Sequence, residues 1–156
     1  MSDVLQMSFS QMDALSQAFN TASNNLDSLN GDITKFLSDI SGKINDWVTN
    51  STTMKGNAED IQSTLTKVKD STMGSWKGQQ ADKFQGQTYP VIESAMNDFI
   101  KALEDFSNTL KTKCTELENA LTPINTNIKK EATDCQEQSG WVSRYAQEHQ
   151  NAENIG

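Results

Sequence analysis

An apolar side chain recurs at every seventh position through the first part of this chain, and this repeat constrains the fold more than any other feature of the sequence. The series keeps one phase and consists of Leu5, Met12, Phe19, Leu26, Ile33, Ile40, Trp47, Met54, Ile61 and Val68. A second apolar column accompanies it, at Phe9, Leu15, Ala22, Leu29, Phe36, Leu37, Ile44, Ala58 and Leu65. Ser51 interrupts that second column once. Spacings that alternate near three and four are typical of a coiled-coil-like helix, whereas a strand repeats every second residue. The repeat therefore predicts one long helical arm over about residues 5–73.

A second run of helical spacing follows the centre of the chain. Its apolar members are Ala81, Phe84, Val91, Ile92, Ala95, Phe99, Leu103, Phe106, Leu110, Cys114, Leu117, Leu121, Ile124 and Ile128. We expect a second arm over about residues 79–146, with kinks near Pro90 and Pro123 because proline removes a backbone hydrogen bond. Residues 147–156 have almost no apolar content and are expected to form a flexible tail.

The two arms match in length about a hinge at residues 74–78. Folding the chain there places Ile33 near Leu121 and Leu26 near Ile128, so that apolar residues face each other. The predicted fold is all-α, a long antiparallel helical hairpin that turns at Trp76-Gly78 and forms a single domain over residues 1–146.

Apolar residues also lie beside the main columns, at Leu37, Val48, Met96 and Ile100. A hairpin buries only one seam between its helices, so this surplus favours dimerisation that completes a four-helix bundle. The alternative is that neighbouring long side chains half-cover these residues within one chain.

Composition excludes several classes of partner. The formal net charge is −8, whereas nucleic acid and anionic lipid both attract clustered Lys and Arg. No apolar run approaches the ~20 residues that span a bilayer, so no transmembrane segment is predicted. Met1-Ser2-Asp3-Val4 lacks a basic n-region followed by an apolar h-region, so we expect no cleaved secretory signal peptide.

No catalytic, cofactor or metal site is predicted, and the chain is not expected to be an enzyme. The single histidine, His149, stands in the polar tail without a nucleophile or a carboxylate arranged around it. Cys114 and Cys135 lie three heptads apart, about 30 Å along a continuous helix, which is too far for a disulfide. They are interpreted as small apolar residues of the seam; a disulfide would require the chain to reverse at Pro123.

The hinge carries the one short motif that points to a function. Trp76 and Gly78 stand at the turn, and Ala81 and Phe84 follow at helical spacing on the first inward face of the second arm. With a central position, long apolar stripes on both sides and low charge, the sequence resembles the WXG100 family over about residues 41–130. These are small helical hairpins of type VII, or ESX, secretion systems.

The resemblance implies export without a cleaved signal peptide, from the cytoplasm to the outside of the cell. It also implies a homodimer or heterodimer with another helical hairpin, and a role as a secreted effector or as the partner of a larger secreted toxin. In the family the hinge tryptophan and a C-terminal Tyr-x-x-x-Asp/Glu signal are read together by the secretion ATPase. Trp76 and Gly78 match the hinge motif of the family. Tyr145 and Glu148 match the C-terminal signal only loosely, because the acidic residue comes one position early.

Two other functions fit the same pattern. A cytosolic chaperone or adaptor of a type VII toxin would use the same apolar flanks without being exported. A structural filament subunit would also be built from long hairpins, and it would polymerise as its concentration rises.

Overall fold

The computed structural model describes residues 8–153, and all of its regular structure over that range is helical. Helix α1 spans Phe9–Lys67, 59 residues, and continues through a π-helical segment at Val68–Thr72 and a 3₁₀ turn at Met73–Ser75. After the turn come a short helix α2 at Gln79–Lys83, a second π-helical segment at Phe84–Thr88, and helix α3 at Tyr89–Glu153, 65 residues. The predicted all-α hairpin is confirmed, while its completion as a four-helix bundle by dimerisation stays a prediction.

The ends of the helices follow from the sequence. Ser8 and Gln11 form a reciprocal capping box, in which the Ser8 backbone N–H donates to Gln11 Oε1 at 2.8 Å and the Gln11 N–H donates to Ser8 Oγ at 3.4 Å. Pro123 lies inside α3 without ending it. Leu5, the first member of the heptad series, and residues 154–156 of the predicted tail lie outside the described residues.

The chain divides into two compact units, and α1 and α3 contribute to both. The terminal unit comprises Met1–Ser38 and Glu118–Gly156, and the turn unit comprises Asp39–Leu117. Within each unit the two helices run antiparallel and pack side by side, as the contacts across each seam show.

In the terminal unit the innermost position of α1 is polar. Ser16 Oγ lies 2.9 Å from Ser139 Oγ, and Ser23 Oγ donates to the carbonyl of Ala132 at 2.8 Å. One heptad further on, Asn30 Nδ2 donates to the backbone and side-chain oxygens of Asn125. These facing pairs differ from the predicted pairing by a single residue. Larger apolar residues pack beside this line, in a cluster formed by Met12, Leu15, Phe19, Val142 and Ala146.

In the turn unit the same seam is made by Ser51 and Ala58, each 4% exposed. Ser51 Oγ donates to the carbonyl of Leu103 at 3.0 Å. Ser51 therefore interrupts the apolar column without interrupting the seam: its small side chain lets the helices approach, and its hydroxyl is satisfied by the facing backbone. Cys114 and Cys135 are half-buried thiols on α3, and the alternative disulfide is not formed.

Candidate functional site: the turn motif and the apolar flank

Gly78 holds the turn in a backbone conformation that other residues rarely adopt. Its φ is 113° and its ψ is 171°, a region that is almost confined to glycine. Its carbonyl accepts the backbone N–H of Asp82 at 3.1 Å, which starts α2. A Cβ placed on Gly78 would meet no atom within 4 Å, so the requirement for glycine is conformational and not a matter of space.

Trp76 and Phe84 come together at this turn. Their ring centroids are 6.2 Å apart with an interplanar angle of 54°, a geometry typical of favourable aromatic pairs. Ala81 is 1% exposed, whereas Trp76 remains 41% exposed. The turn therefore buries its small residue and presents its tryptophan, with Phe84 supporting one side of the indole ring.

Tyr89 supports the turn and was missed by the sequence reasoning. It is only 4% exposed, and its hydroxyl lies 3.1 Å from Thr66 Oγ1. The Lys69 ammonium sits 4.6 Å from the centre of its ring, a cation–π contact. The available signal was an aromatic residue next to Pro90, seven residues before Met96 in the same helical column.

Tyr145 and Glu148 belong to the terminal unit, whereas Trp76 belongs to the turn unit. Tyr145 lies in a row of exposed aromatic side chains on α3. Its ring centroid is 5.5 Å from that of Trp141, on which it stacks, and 4.2 Å from that of His149. Glu148 is exposed on the same helix. Their assignment as a C-terminal signal stays a prediction.

The seam divides the surface of the turn unit into two sides that differ in composition. Helical geometry shows which residues of α1 and α3 lie on each side. Successive residues of a helix turn by about 100°, so Met54 and Lys55, three and four positions after Ser51, lie on opposite sides of it. Lys55 contacts Glu104 of α3 at 2.5 Å. Glu104 therefore marks the same side of α3, and Phe106, two positions later, lies on the side of Met54.

The apolar flank is the side that carries Met54. It consists of six large side chains that are 41–54% exposed: Trp47, Met54, Ile61, Val68, Phe99 and Phe106. The rows next to its centre are uncharged and consist of Asn50, Asn57, Thr64, Ala95, Ala102 and Thr109; charge returns one heptad beyond them, at Lys43 and Glu116. This side of the turn unit is therefore apolar and poor in charge.

The opposite side of the turn unit is polar and internally paired. Lys55 bridges Glu104 and Glu59, the latter at 3.4 Å, and Gln62 Nε2 donates to Asn97 Oδ1 at 2.7 Å. The hydrogen bonds with Glu104 and then Glu59 raise the pKa of Lys55 above its ordinary value. These groups therefore satisfy one another within the chain.

Metal binding and membrane insertion each place requirements on the part of the chain that the structure describes. No group of three His, Cys, Asp or Glu side chains there is placed to hold a metal ion. None of the helices within residues 8–153 combines the length and the apolar character needed to cross a membrane.

The fold and the site define a class: an all-α helical hairpin that presents a tryptophan at its turn and an apolar flank beside it. The family model described as proteins of 100 residues with WXG, WXG100, matches residues 41–120. No curated protein and no solved structure matches the chain. The chain belongs to the WXG100 family, a family of helical proteins known as substrates of type VII secretion and not as enzymes. The matched residues nearly coincide with the turn unit.

Proposed function

We propose that this protein is exported by a type VII secretion system, either as a substrate or as the partner that accompanies a larger secreted toxin. It acts by helix–helix association and not by catalysis. The observation that carries the proposal is the turn of a WXG100 hairpin, in which Trp76 is exposed and packs against Phe84. Gly78 holds this turn in a backbone conformation that only glycine readily adopts.

The apolar flank supports the association. The exposed parts of its six large side chains amount to roughly 500 Å² per chain, and a standard interface buries about 800 Å² per partner. A second hairpin that covers the flank and its neighbouring uncharged rows reaches that size. The partner is a second copy or another hairpin of the same family, and the product is a four-helix bundle.

The turn supports the recognition step. A secretion ATPase that reads the tryptophan needs the indole ring accessible and fixed in direction, and Trp76 is both exposed and packed against one neighbour. Because Trp76 is not in the apolar flank, the recognition step and the association step use different side chains.

Replacing Trp76 with Ala tests the proposal. We expect the variant to remain in the cells of a strain with an active type VII system, with its helicity and oligomeric state unchanged. Phe36→Ala is the control, because Phe36 is a similarly exposed aromatic residue that lies in the terminal unit. Unimpaired export of the Trp76 variant would refute the mechanism. Retention of the wild-type chain in cells would instead favour the cytosolic adaptor.

A further inference from the structure

The amide pair between Asn30 and Asn125 stands out in the seam of the terminal unit. Asn30 Nδ2 donates to Asn125 Oδ1 at 2.8 Å and to its backbone carbonyl at 3.0 Å, and Asn125 Nδ2 donates to Thr34 Oγ1 at 2.9 Å. Both asparagines are half-buried. Two leucines would bury more apolar surface here, so stability alone does not account for the pair.

The apolar residues of this unit do not specify how the two helices align. Those of α1 repeat every seven residues at Met12, Phe19, Leu26 and Ile33, and those of α3 repeat likewise at Leu121, Ile128, Cys135 and Val142. Sliding one helix by seven residues therefore brings apolar residues against apolar residues again. The serines discriminate less between alignments: a slip breaks the contact between the Ser16 and Ser139 hydroxyls, but both hydroxyls, like that of Ser23, also donate to a facing backbone carbonyl, and such carbonyls recur one heptad away.

The asparagines do distinguish the alignments. A slip of one heptad in one direction places Asn125 opposite Leu37, and in the other direction opposite Ser23. Asn30 then faces Ala132 or Glu118 instead of an amide. Each slipped alignment loses the hydrogen bond between the two amides and the one from Asn125 to Thr34, and a polar group left unpaired in a seam costs more than the paired one contributes.

We propose that Asn30 and Asn125 form a register lock, which holds the arms of the terminal unit in a single alignment. An amide pair inside a heptad seam is a recognised means of fixing register in coiled coils. The lock does not involve the turn on which the proposed export rests, because Asn30 and Asn125 lie outside the residues that match the family.

The lock also determines the outer surface of this unit. Leu29 and Ile124 each precede a seam asparagine by one residue, so they lie on the same side of the seam, opposite to the Asp27–Lys129 ion pair. They are 46% and 50% exposed. A one-heptad slip would shift Leu29 relative to Ile124 by about 10 Å and would therefore change any surface that the two residues form together.

Disulfide trapping tests the lock directly. With Cys114 and Cys135 replaced by alanine, three cysteine pairs report the alignment. The native alignment is reported by Ser16→Cys with Ser139→Cys, since these hydroxyls are 2.9 Å apart. The two slipped alignments are reported by Ser16→Cys with Ala132→Cys and by Ser16→Cys with Ala146→Cys, at buried positions one heptad away on either side.

Each pair is oxidised in a glutathione buffer, in the full-length chain, and the disulfide yield is measured by mass spectrometry. We expect the native pair to exceed either slipped pair by about tenfold or more with the asparagines present, and this ratio to approach one in Asn30→Leu/Asn125→Leu. The control Asn24→Leu/Asn127→Leu adds the same apolar groups at exposed positions of the same helices and should leave the ratio unchanged.

A ratio that stays within about twofold of its original value in the Asn30→Leu/Asn125→Leu background would overturn the proposal. If circular dichroism shows that this variant has lost helicity, Asn30→Ala/Asn125→Ala is measured in its place, with the same expected fall. A fall of equal size in the control would also overturn the proposal, because the effect would then come from added apolar surface and not from the amide pair.

Discussion

Replacing Trp47 with Ala tests whether the apolar flank is a partner interface. Trp47 is 53% exposed in the single chain. An aromatic side chain buries about 150–250 Å², so a partner that covers the flank would remove roughly 100 Å² of indole surface from water. At ~25 cal/mol per Å², the substitution costs about 2.5 kcal/mol of association free energy for each copy of the residue in the interface.

That cost predicts different outcomes for the two kinds of partner. In a heterodimer one tryptophan is lost, and the dissociation constant rises about 60-fold. In a homodimer both copies are lost, about 5 kcal/mol in all, and the constant rises several-thousandfold, to order-of-magnitude accuracy. Sedimentation equilibrium or mass photometry over a concentration series measures either change. The wild-type and variant chains are each measured alone and with any hairpin that co-purifies with the wild-type chain.

The control for association is Trp141→Ala, which removes an indole of similar exposure, 57%, from the terminal unit. We expect it to leave the dissociation constant unchanged. The free energy of unfolding of the isolated Trp47 variant should fall as well, because nearly half of the indole is covered within the single chain, so association is measured where circular dichroism shows the variant to be folded. An association constant within threefold of the wild-type value would refute the assignment of this flank.

Two further predictions concern the turn. Gly78→Ala should lower the free energy of unfolding by about 1–3 kcal/mol, because alanine is strained at a φ of 113°; Gly42→Ala, within α1, should instead stabilise by about 0.5–1 kcal/mol. Urea unfolding followed by circular dichroism measures both, and an equal effect at the two glycines would contradict the turn geometry. Tyr89→Phe should cost about 0.5–1.5 kcal/mol, since it removes the hydroxyl next to Thr66, whereas Tyr145→Phe at an exposed site should be neutral within error. A neutral Tyr89→Phe would show that its hydroxyl bond contributes nothing.

The sequence was sufficient to predict the hairpin because its signals act over long distances along the chain. A heptad repeat that keeps phase across Gly31, Gly42 and Gly56 predicts one helix, and α1 runs without a break from Phe9 to Lys67. The match in length of the two arms predicted which residues face each other to within one position. Trp76 and Gly78 were assigned to the turn from the same symmetry.

The innermost column was not predicted, because its residues carry no hydrophobic signal. Ser16, Ser23 and Ser51 are each at most 5% exposed, yet a search for apolar periodicity ignores or penalises them. A serine lies in such a seam because the two helix backbones approach closely. The distance between the helix axes is a property of the pair of helices, so the sequence of one helix alone does not reveal it. The large residues expected at the centre, including Trp47, were therefore displaced to the flank.

That displacement gives the apolar flank its physical origin in the turn unit. Interaxial distance depends on the side chains at the contact, and small side chains bring helices together. Ser51 and Ala58 lie between α1 and α3, so Met54 and Ile61, three residues after each of them, cannot enter the narrow seam and stay about half exposed. A seam of leucines would have separated the helices, buried these side chains and left the hairpin self-sufficient. The same small residues that close the hairpin therefore leave apolar surface exposed on its flank.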